Sequence, residues 1–582
     1  MKSLYERIMD ELDADKAMEH VHWLTENTPS RISGTGQDRK AAEYLVDKMK
    51  SYGLEAGILE FETYNSRPGK SSLRLVSPED REIMSLPCCH VEPTPEGGKI
   101  YDLIYVGAGA EEDYEGKDVE GKAVLVEVSY APATPEKAMI ARRHKAEAMI
   151  CMNWGRRSEH VICMRGLKTV WGNPTPDTFD KIPKITGCSI TRADGEDLRD
   201  MCLKGDPVKI HMEVTAERLW ETLPQPVGYI RGKEEPEKFL LVSAHLDAWS
   251  PGVTCNATGD ATMLEMARVF AKFKDELKRS ICFAYWNGHE IAEAAGSTWF
   301  ADTYWDSLSE NCIGYVNIDS TGMKDADTYD LTASRELGRF ASEAVRNSIG
   351  EDVEAVPLSK IGDQSFFGLG IPAIFGRLSY NENVLEQTHG ATLGWWNHTA
   401  EDGMDKADPI NIGRDNMAEA AYILGIVNSE ILPYDFTDTA ADIFRKLETL
   451  APFADGIMDM KNLTDKAKKF CVNVKALNEM ISEKKQGSKA EERRAVNDVM
   501  IRISRSLTGP FYTACGRYSQ DSYGLSVLAK PVPLLYPLVE MSRMDKEDTG
   551  YRLMKTQMVR NRNMLSDALS TANESIERLL KK

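Results

Sequence analysis

Between Leu4 and Met49 apolar residues recur every three or four positions. Leu4, Ile8 and Leu12, then Ala41, Tyr44, Leu45 and Met49, share one face, and Gly53 stands where a helix would end. That period predicts amphipathic helices leading into a strand. From Asn65–Ser72, which contains Pro, Gly and Ser, the pattern changes to short apolar runs (Ile104–Val106, Ala123–Val128, Ala148–Met152) separated by Gly and Pro, with a charged helix near Pro135–His144. The change predicts an inserted β-rich domain. An apolar run over Phe239–Ala244 then leads into His245, a helix follows at about Ala261–Phe273, and a second apolar strand spans Ile281–Trp286. Strands alternating with amphipathic helices predict a mainly parallel sheet covered on both faces. Beyond Pro433, from Phe436 to Lys582, charged helical segments dominate, interrupted by a loop at Ala529–Pro537 that holds Pro531, Pro533 and Pro537.

A chain of 582 residues at roughly 100–200 residues per domain predicts about three to five domains. Hydrophobic residues at 42% and charged residues at 28% match a soluble globular protein with several cores, not a disordered or membrane one. The 91 acidic and 71 basic side chains leave a net charge of −20, which disfavours nucleic acid or an anionic membrane as a partner. No apolar run reaches 18 residues and Met1–Asp10 has no apolar signal region, so the expected location is cytoplasmic. Eleven scattered cysteines read as reduced thiols rather than a disulfide framework. The adjacent pair Cys88-Cys89 lies in a stretch flanked by Pro87, Pro93 and Pro95 and has no second cluster at ligand spacing, so it does not read as a metal site.

Potential metal ligands gather after the apolar strands. They are His245-Leu-Asp247, the turn Gly252-Val-Thr-Cys255-Asn-Ala-Thr-Gly259, Trp286-Asn-Gly-His289-Glu290, Asn317-Ile-Asp319, and Trp396-Asn-His398-Thr-Ala-Glu-Asp402. Sites in open α/β sheets assemble at the carboxyl ends of strands, so these segments can converge. Each is weak alone, since a lone His-x-Asp is more often a structural pair and a strand-terminal Asp can cap the next element.

Taken in order, these motifs resemble the co-catalytic zinc peptidases of the M28 aminopeptidase and glutamate carboxypeptidase II type. The resemblance extends along nearly the whole chain. Residues 22–65 look like the family's opening helix and strand, and Val119–Met152 like a protease-associated domain. The tail is similar to the dimerisation domain of glutamate carboxypeptidase II and the transferrin receptor. It implies a three-layer α/β/α catalytic domain (1–70 and 221–436), an inserted protease-associated-like domain (71–220) and a helical, dimerisation-like domain (437–582). It also implies one or two zinc ions, or another divalent metal, on His245, Glu290, Asp319 and His398, with the Asp247 carboxylate behind the His245 imidazole. Anchoring the Glu pair on Gly296-Ser297 would put Ile291 at the ligand position; the strand-side anchor puts Glu290 there.

Two positions depart from the family. Cys255 stands in place of its bridging Asp, and a soft thiolate can either ligate metal or remain an inert buried thiol. His289 stands in place of its general-base Glu and reads as a base, an added ligand or a structural residue. Asp363-Gln-Ser-Phe-Phe367, Trp249, Trp395 and Trp396 read as pocket-shaping or core residues. Asn256-Ala-Thr258 and Asn397-His-Thr399 match glycosylation acceptors but sit inside site motifs. The expected function is metal-dependent hydrolysis of an amide or peptide-like C–N bond in a small substrate by a homodimer. A non-catalytic binding protein like the transferrin receptor, or an acyl-transfer or cyclase variant, is the alternative.

Overall fold

The computed structural model describes residues 2–358, 362–484, 489–522 and 530–581. It opens with helices Leu4–Glu11, Ala14–Asn27 and Gln37–Ser51. Ser3 and Glu6 form a reciprocal capping box on the first, and the Asp13 carboxylate accepts the Asp15 and Lys16 N–H groups on the second, satisfying donors that a helix start leaves open. Their apolar faces, with Ile8, Val21, Leu24, Leu45 and Met49 fully or almost fully buried, pack into one core with the helix Thr258–Lys272.

Four parallel strands make the centre of the sheet: Ala373–Ser379, Cys312–Asn317, Glu235–His245 and Arg279–Trp286, in that spatial order. All eight residues of Arg279–Trp286 are buried, as expected for a strand covered on both faces. The sheet is nevertheless mixed, because Thr328–Ala333 pairs antiparallel with Ala373–Ser379, and Lys209–Ile230 antiparallel with Arg279–Trp286. Antiparallel neighbours need no crossover helix.

Glu55–Ser77 and Lys209–Ile230 form a long antiparallel ribbon that runs out of this core into a second one. There the parallel strands Lys99–Tyr105, Ala123–Glu127, Ala148–Met152 and Thr186–Ile190 bury Val124, Leu125, Ile150, Met152 and Ile190. The charged helix spans Thr134–Arg143.

The C-terminal region is helical: Thr437–Leu450, Lys461–Lys484, Ala490–Tyr512, Pro537–Met541 and Thr549–Leu580. Residues 530–536 are irregular, in keeping with the expected proline loop, whose Ala529 lies outside the described residues. Ile443, Phe470, Leu507, Leu565 and Ile576 belong to the same apolar core as the α/β part. Arg505, buried at the junction, donates to the carbonyls of Leu308 (3.2 Å), Ser309 (3.1 Å), Cys312 (2.5 Å) and Gly370. Among the described residues no helix is long and apolar enough to cross a membrane.

Candidate metal centre and active site

The strand register places the chemistry. Trp286 is opposite His245 and Asn317 opposite Ser243, so the loops carrying Asp247, His289, Glu290 and Asp319 leave the sheet at one edge. Cys255 arrives from a distorted turn, Val253–Ala257, just before the helix Thr258–Lys272. Asp402 holds that turn: its carboxylate accepts the N–H of Thr254 (2.9 Å) and Cys255 (3.1 Å) and the Thr254 hydroxyl (2.8 Å). Fully buried Arg31, which no motif signalled, donates to the carbonyls of Thr28, Leu246 and Gly252. Removing it would leave buried carbonyls without donors.

Cys255 is the centre of the site. Its Sγ lies 3.6 Å from His245 Nε2, 3.2 Å from Glu290 Oε1 and 3.5 Å from His398 Nε2. His245 Nε2 is 3.5 Å from Asp319 Oδ1, and His398 Nε2 is 3.0 Å from Glu290 Oε1. Two donor triads result, His245–Cys255–Asp319 and Cys255–Glu290–His398, each with its donor atoms within 4.8 Å of one another. The sulfur shared between them stands where one atom can serve both. A third grouping, His245–His289–Glu290, meets the same distance limit. Ile291 points away, packed with Cys89 and Trp249.

The His245 imidazole is held differently from the expectation. Its Nδ1 is 2.7 Å from the backbone carbonyl of Asp247, not from the carboxylate. A carbonyl only accepts, so Nδ1 carries a proton and Nε2 is the nitrogen that faces Cys255 and Asp319. The Asp247 carboxylate instead accepts the N–H of His289 (2.9 Å), the N–H of Glu290 (3.0 Å) and the Ser33 hydroxyl (2.8 Å). It therefore ties the His245 loop to the loop bearing the other ligand and His289. A sequence spacing of two cannot say whether the side chain or the backbone oxygen reaches the ring.

His289 lies against Asp363, Nδ1 to Oδ2 2.9 Å, and Asp363 also accepts the Ser297 hydroxyl at 2.8 Å. Burial alone would lower the His289 pKa, yet Asp363, Glu290 and Asp319 raise it well above the usual value. Glu290 and Asp319 move the other way: burial opposes ionisation, but His398 beside one and His245 beside the other hold both well below the usual carboxylate range. Burial and the carboxylates Glu290, Asp319 and Asp402 push the Cys255 thiol well up. A divalent cation among these donors would reverse that last effect, because coordination favours the thiolate.

A cavity of about 280 Å³ opens over the donors, walled by Trp154, Arg165, Trp171, Trp249 and Arg377. Part of the wall comes from the second core's side: Met164 N–H donates to the His398 carbonyl (2.9 Å) and Trp171 Nε1 to Ser365 Oγ (2.7 Å). Both tryptophans are buried, but Trp249 lines the cavity, whereas Trp396 does not and donates its Nε1–H to Thr254 Oγ1. Asn256 and Asn397 are fully buried, which leaves no room for a glycan on either.

Residues 227–423 match the model for Peptidase family M28. This chain carries a peptidase family M28 domain. The match spans 197 of the 582 residues and assigns that segment to a metallopeptidase family. It is similar to the probable glutamate carboxypeptidase VP8 of Zea mays, 22% identical over 559 residues covering 82% of this chain and 77% of that one. Its fold is shared with an aminopeptidase from Aneurinibacillus sp. strain AM-1 (TM-score 0.54, 21% identity, 72% of this chain and 95% of that one). It is also shared with BSAP, a zinc aminopeptidase from Bacillus subtilis (TM-score 0.52, 22% identity, 71% and 94%).

Proposed function

We propose that this protein hydrolyses an amide or peptide-like C–N bond in a small substrate, with zinc, one ion or two, or another divalent metal held by His245, Cys255, Asp319, Glu290 and His398. The observation that carries the reading is the convergence of both donor triads on the Cys255 sulfur. When bound, the metal supplies Lewis acidity to the scissile carbonyl and to the attacking water. The chain's residues do the rest. His289, oriented through Nδ1 by Asp363, offers Nε2 to the water's proton once a cation among the neighbouring donors opposes the protonation that Asp363, Glu290 and Asp319 favour. Asp247 fixes the backbone of both His289 and Glu290, so base and ligand move together. The cavity volume suits a small substrate rather than a folded protein.

Residues 71–220 act in this reading as the inserted domain that covers the cleft. Residues 437–582 serve as the homodimer-forming region, supported by exposed apolar side chains Val472, Leu553 and Met564 on their helices. Eleven free cysteines suit a reducing cytoplasm.

The test is hydrolysis of aminoacyl and peptide amides by zinc-loaded protein, with metal content measured beside it. His245→Ala and His398→Ala should each lose metal and activity while remaining folded. Full metal content in both variants would sink the site.

A further inference from the structure

Glu293 has no part in the chemistry so far. It sits three residues beyond Glu290 in a turn closed by the Ala294 N–H on the His289 carbonyl (3.1 Å). Both Glu293 and Ala294 have positive φ, 50° and 57°. Non-glycine residues are held in that region only when their surroundings over-determine it, and such positions cluster at active sites. Here the surroundings are residues 166–172 of the covering segment: Gly172 N–H donates to the Glu293 carbonyl (2.7 Å), and the buried Lys168 ammonium to the Ala292 carbonyl (2.6 Å).

The side chain is only 8% exposed, yet its carboxyl makes no hydrogen bond or ion pair with any described residue. It lines the same cavity as Cys255, His289 and Glu290. A Cβ added to Gly166 would fall 2.6 Å from Glu293 Oε1, so the bare glycine is what makes room for the carboxyl. Burial, opposed by Lys168, His289 and Arg165 and assisted by Glu290, pushes its pKa up to about 8. Cys89 also lies within its field. A buried carboxyl that keeps its proton near neutrality is a hydrogen-bond donor.

We propose that Glu293 is a second catalytic residue, the acid that protonates the leaving nitrogen. The inference rests on the hydrolytic reading above. Water gives its oxygen to the carbonyl carbon and one proton to His289. The C–N bond then breaks with its electron pair passing to nitrogen, which takes the Glu293 proton. The proton on His289 returns to Glu293 through solvent, so one water is consumed and an amine and an acid are formed. Acid and base ride on a single turn, both facing the cavity that also receives the donors.

A matched pair of substrates with one acyl group tests this: an alkylamide, whose amine must be protonated to leave, and a nitrophenyl ester, whose leaving group need not be. Glu293→Gln should lower kcat on the amide roughly 10²–10⁴-fold, the usual range for a general acid, with a loss of less than about tenfold on the ester and unchanged metal content. Gly166→Ala, which crowds the carboxyl without removing it, should show the same amide-selective loss, and Glu293→Asp should recover part of it. Equal losses on both substrates, no loss on the amide, or loss of metal in Glu293→Gln would overturn the assignment. If the wild type cleaves neither substrate, the hydrolytic reading itself falls, and that result appears before any variant is compared.

Discussion

The imidazole of His289 lies flat on that of His245, ring centres 4.1 Å apart and planes 14° from parallel. One ring belongs to a donor triad and the other to the proposed base. Two cationic imidazoles stacked this closely would repel, so a cation bound at His245 Nε2 and a proton on His289 oppose each other.

His289→Ala should therefore lower kcat by roughly 10²–10⁴ while retaining metal. Asp363→Asn, which leaves the ring in place but removes the charge beside Nδ1, should cost roughly 10–100-fold, as loss of an orienting partner does. Metal analysis beside kcat decides the role: loss of metal with His289→Ala makes His289 a ligand, and lost stability with unchanged turnover makes it structural. His289→Glu, which installs the family's residue, should stay active on simple peptide amides.

Cys255 offers a spectroscopic reading. Cobalt-substituted protein should show a thiolate-to-metal charge-transfer band that disappears in Cys255→Asp, while that variant still binds metal through a carboxylate. Cys255→Ala should bind metal more weakly than either, since it removes the donor shared by both triads. A band absent from the wild type would mean that the thiol stays uncoordinated.

Arg505→Ala should lower stability by about 3 kcal/mol or more, because it strands four carbonyls on the α/β side of the junction with the helical region. Deleting 437–582 should yield insoluble or monomeric protein, since the apolar core runs across that junction. Chemical denaturation of the point variant and light scattering on both proteins check this.

His20 makes stability depend on acid. It lies between Tyr44 Oη (2.6 Å) and Tyr52 Oη (2.9 Å), and burial, with Lys48 and Arg268, pushes its pKa down to about 4. The unfolded chain takes up this proton near pH 6.5, before the folded one does. The contribution is thus fully present above about pH 6.5 and is lost as pH falls through about 4, a change of roughly 3 kcal/mol. His20→Gln should flatten the slope of unfolding free energy over that window. An unchanged slope would assign the acid sensitivity elsewhere.

What the sequence made legible were groups whose position follows from strand ends. His245, Glu290 and Asp319 each follow an apolar run, and the parallel register lines those ends up. His398 and Cys255 follow no strand, and ordering them by motif was enough to bring them near. The carboxylate of Asp247 was misplaced because a two-residue spacing carries no information about which oxygen turns inward. The antiparallel flanks were missed because Lys209–Ile230 mixes Glu217, Glu221, Pro224 and Pro226 among its apolar residues, which reads as a loop rather than a strand. Glu293 gave no signal: it belongs to no motif, and its place depends on Gly166 and Lys168, more than a hundred residues away.

The ribbon that leads to the second core breaks register twice, between Leu75 and Ser77 and, near its middle, where Gly69 and Lys70 face Thr215 alone, a bulge of the kind that bends a strand. Lys70 N–H reaches Thr215 Oγ1 at 2.8 Å, so the chain leaves and returns at neighbouring points. Everything from Ser71 to Val214 thus hangs from two adjacent points of the chain, yet it reaches back to the site: Met164 N–H holds the His398 carbonyl, and Gly172 N–H and Lys168 hold the turn of Ala292 and Glu293. Trp154, Arg165, Gly166 and Trp171 of the cavity wall belong to the same segment. Wall and floor are therefore one unit: a segment joined to the chain at a single place in the ribbon cannot be swapped for another unless the replacement also supplies these three contacts.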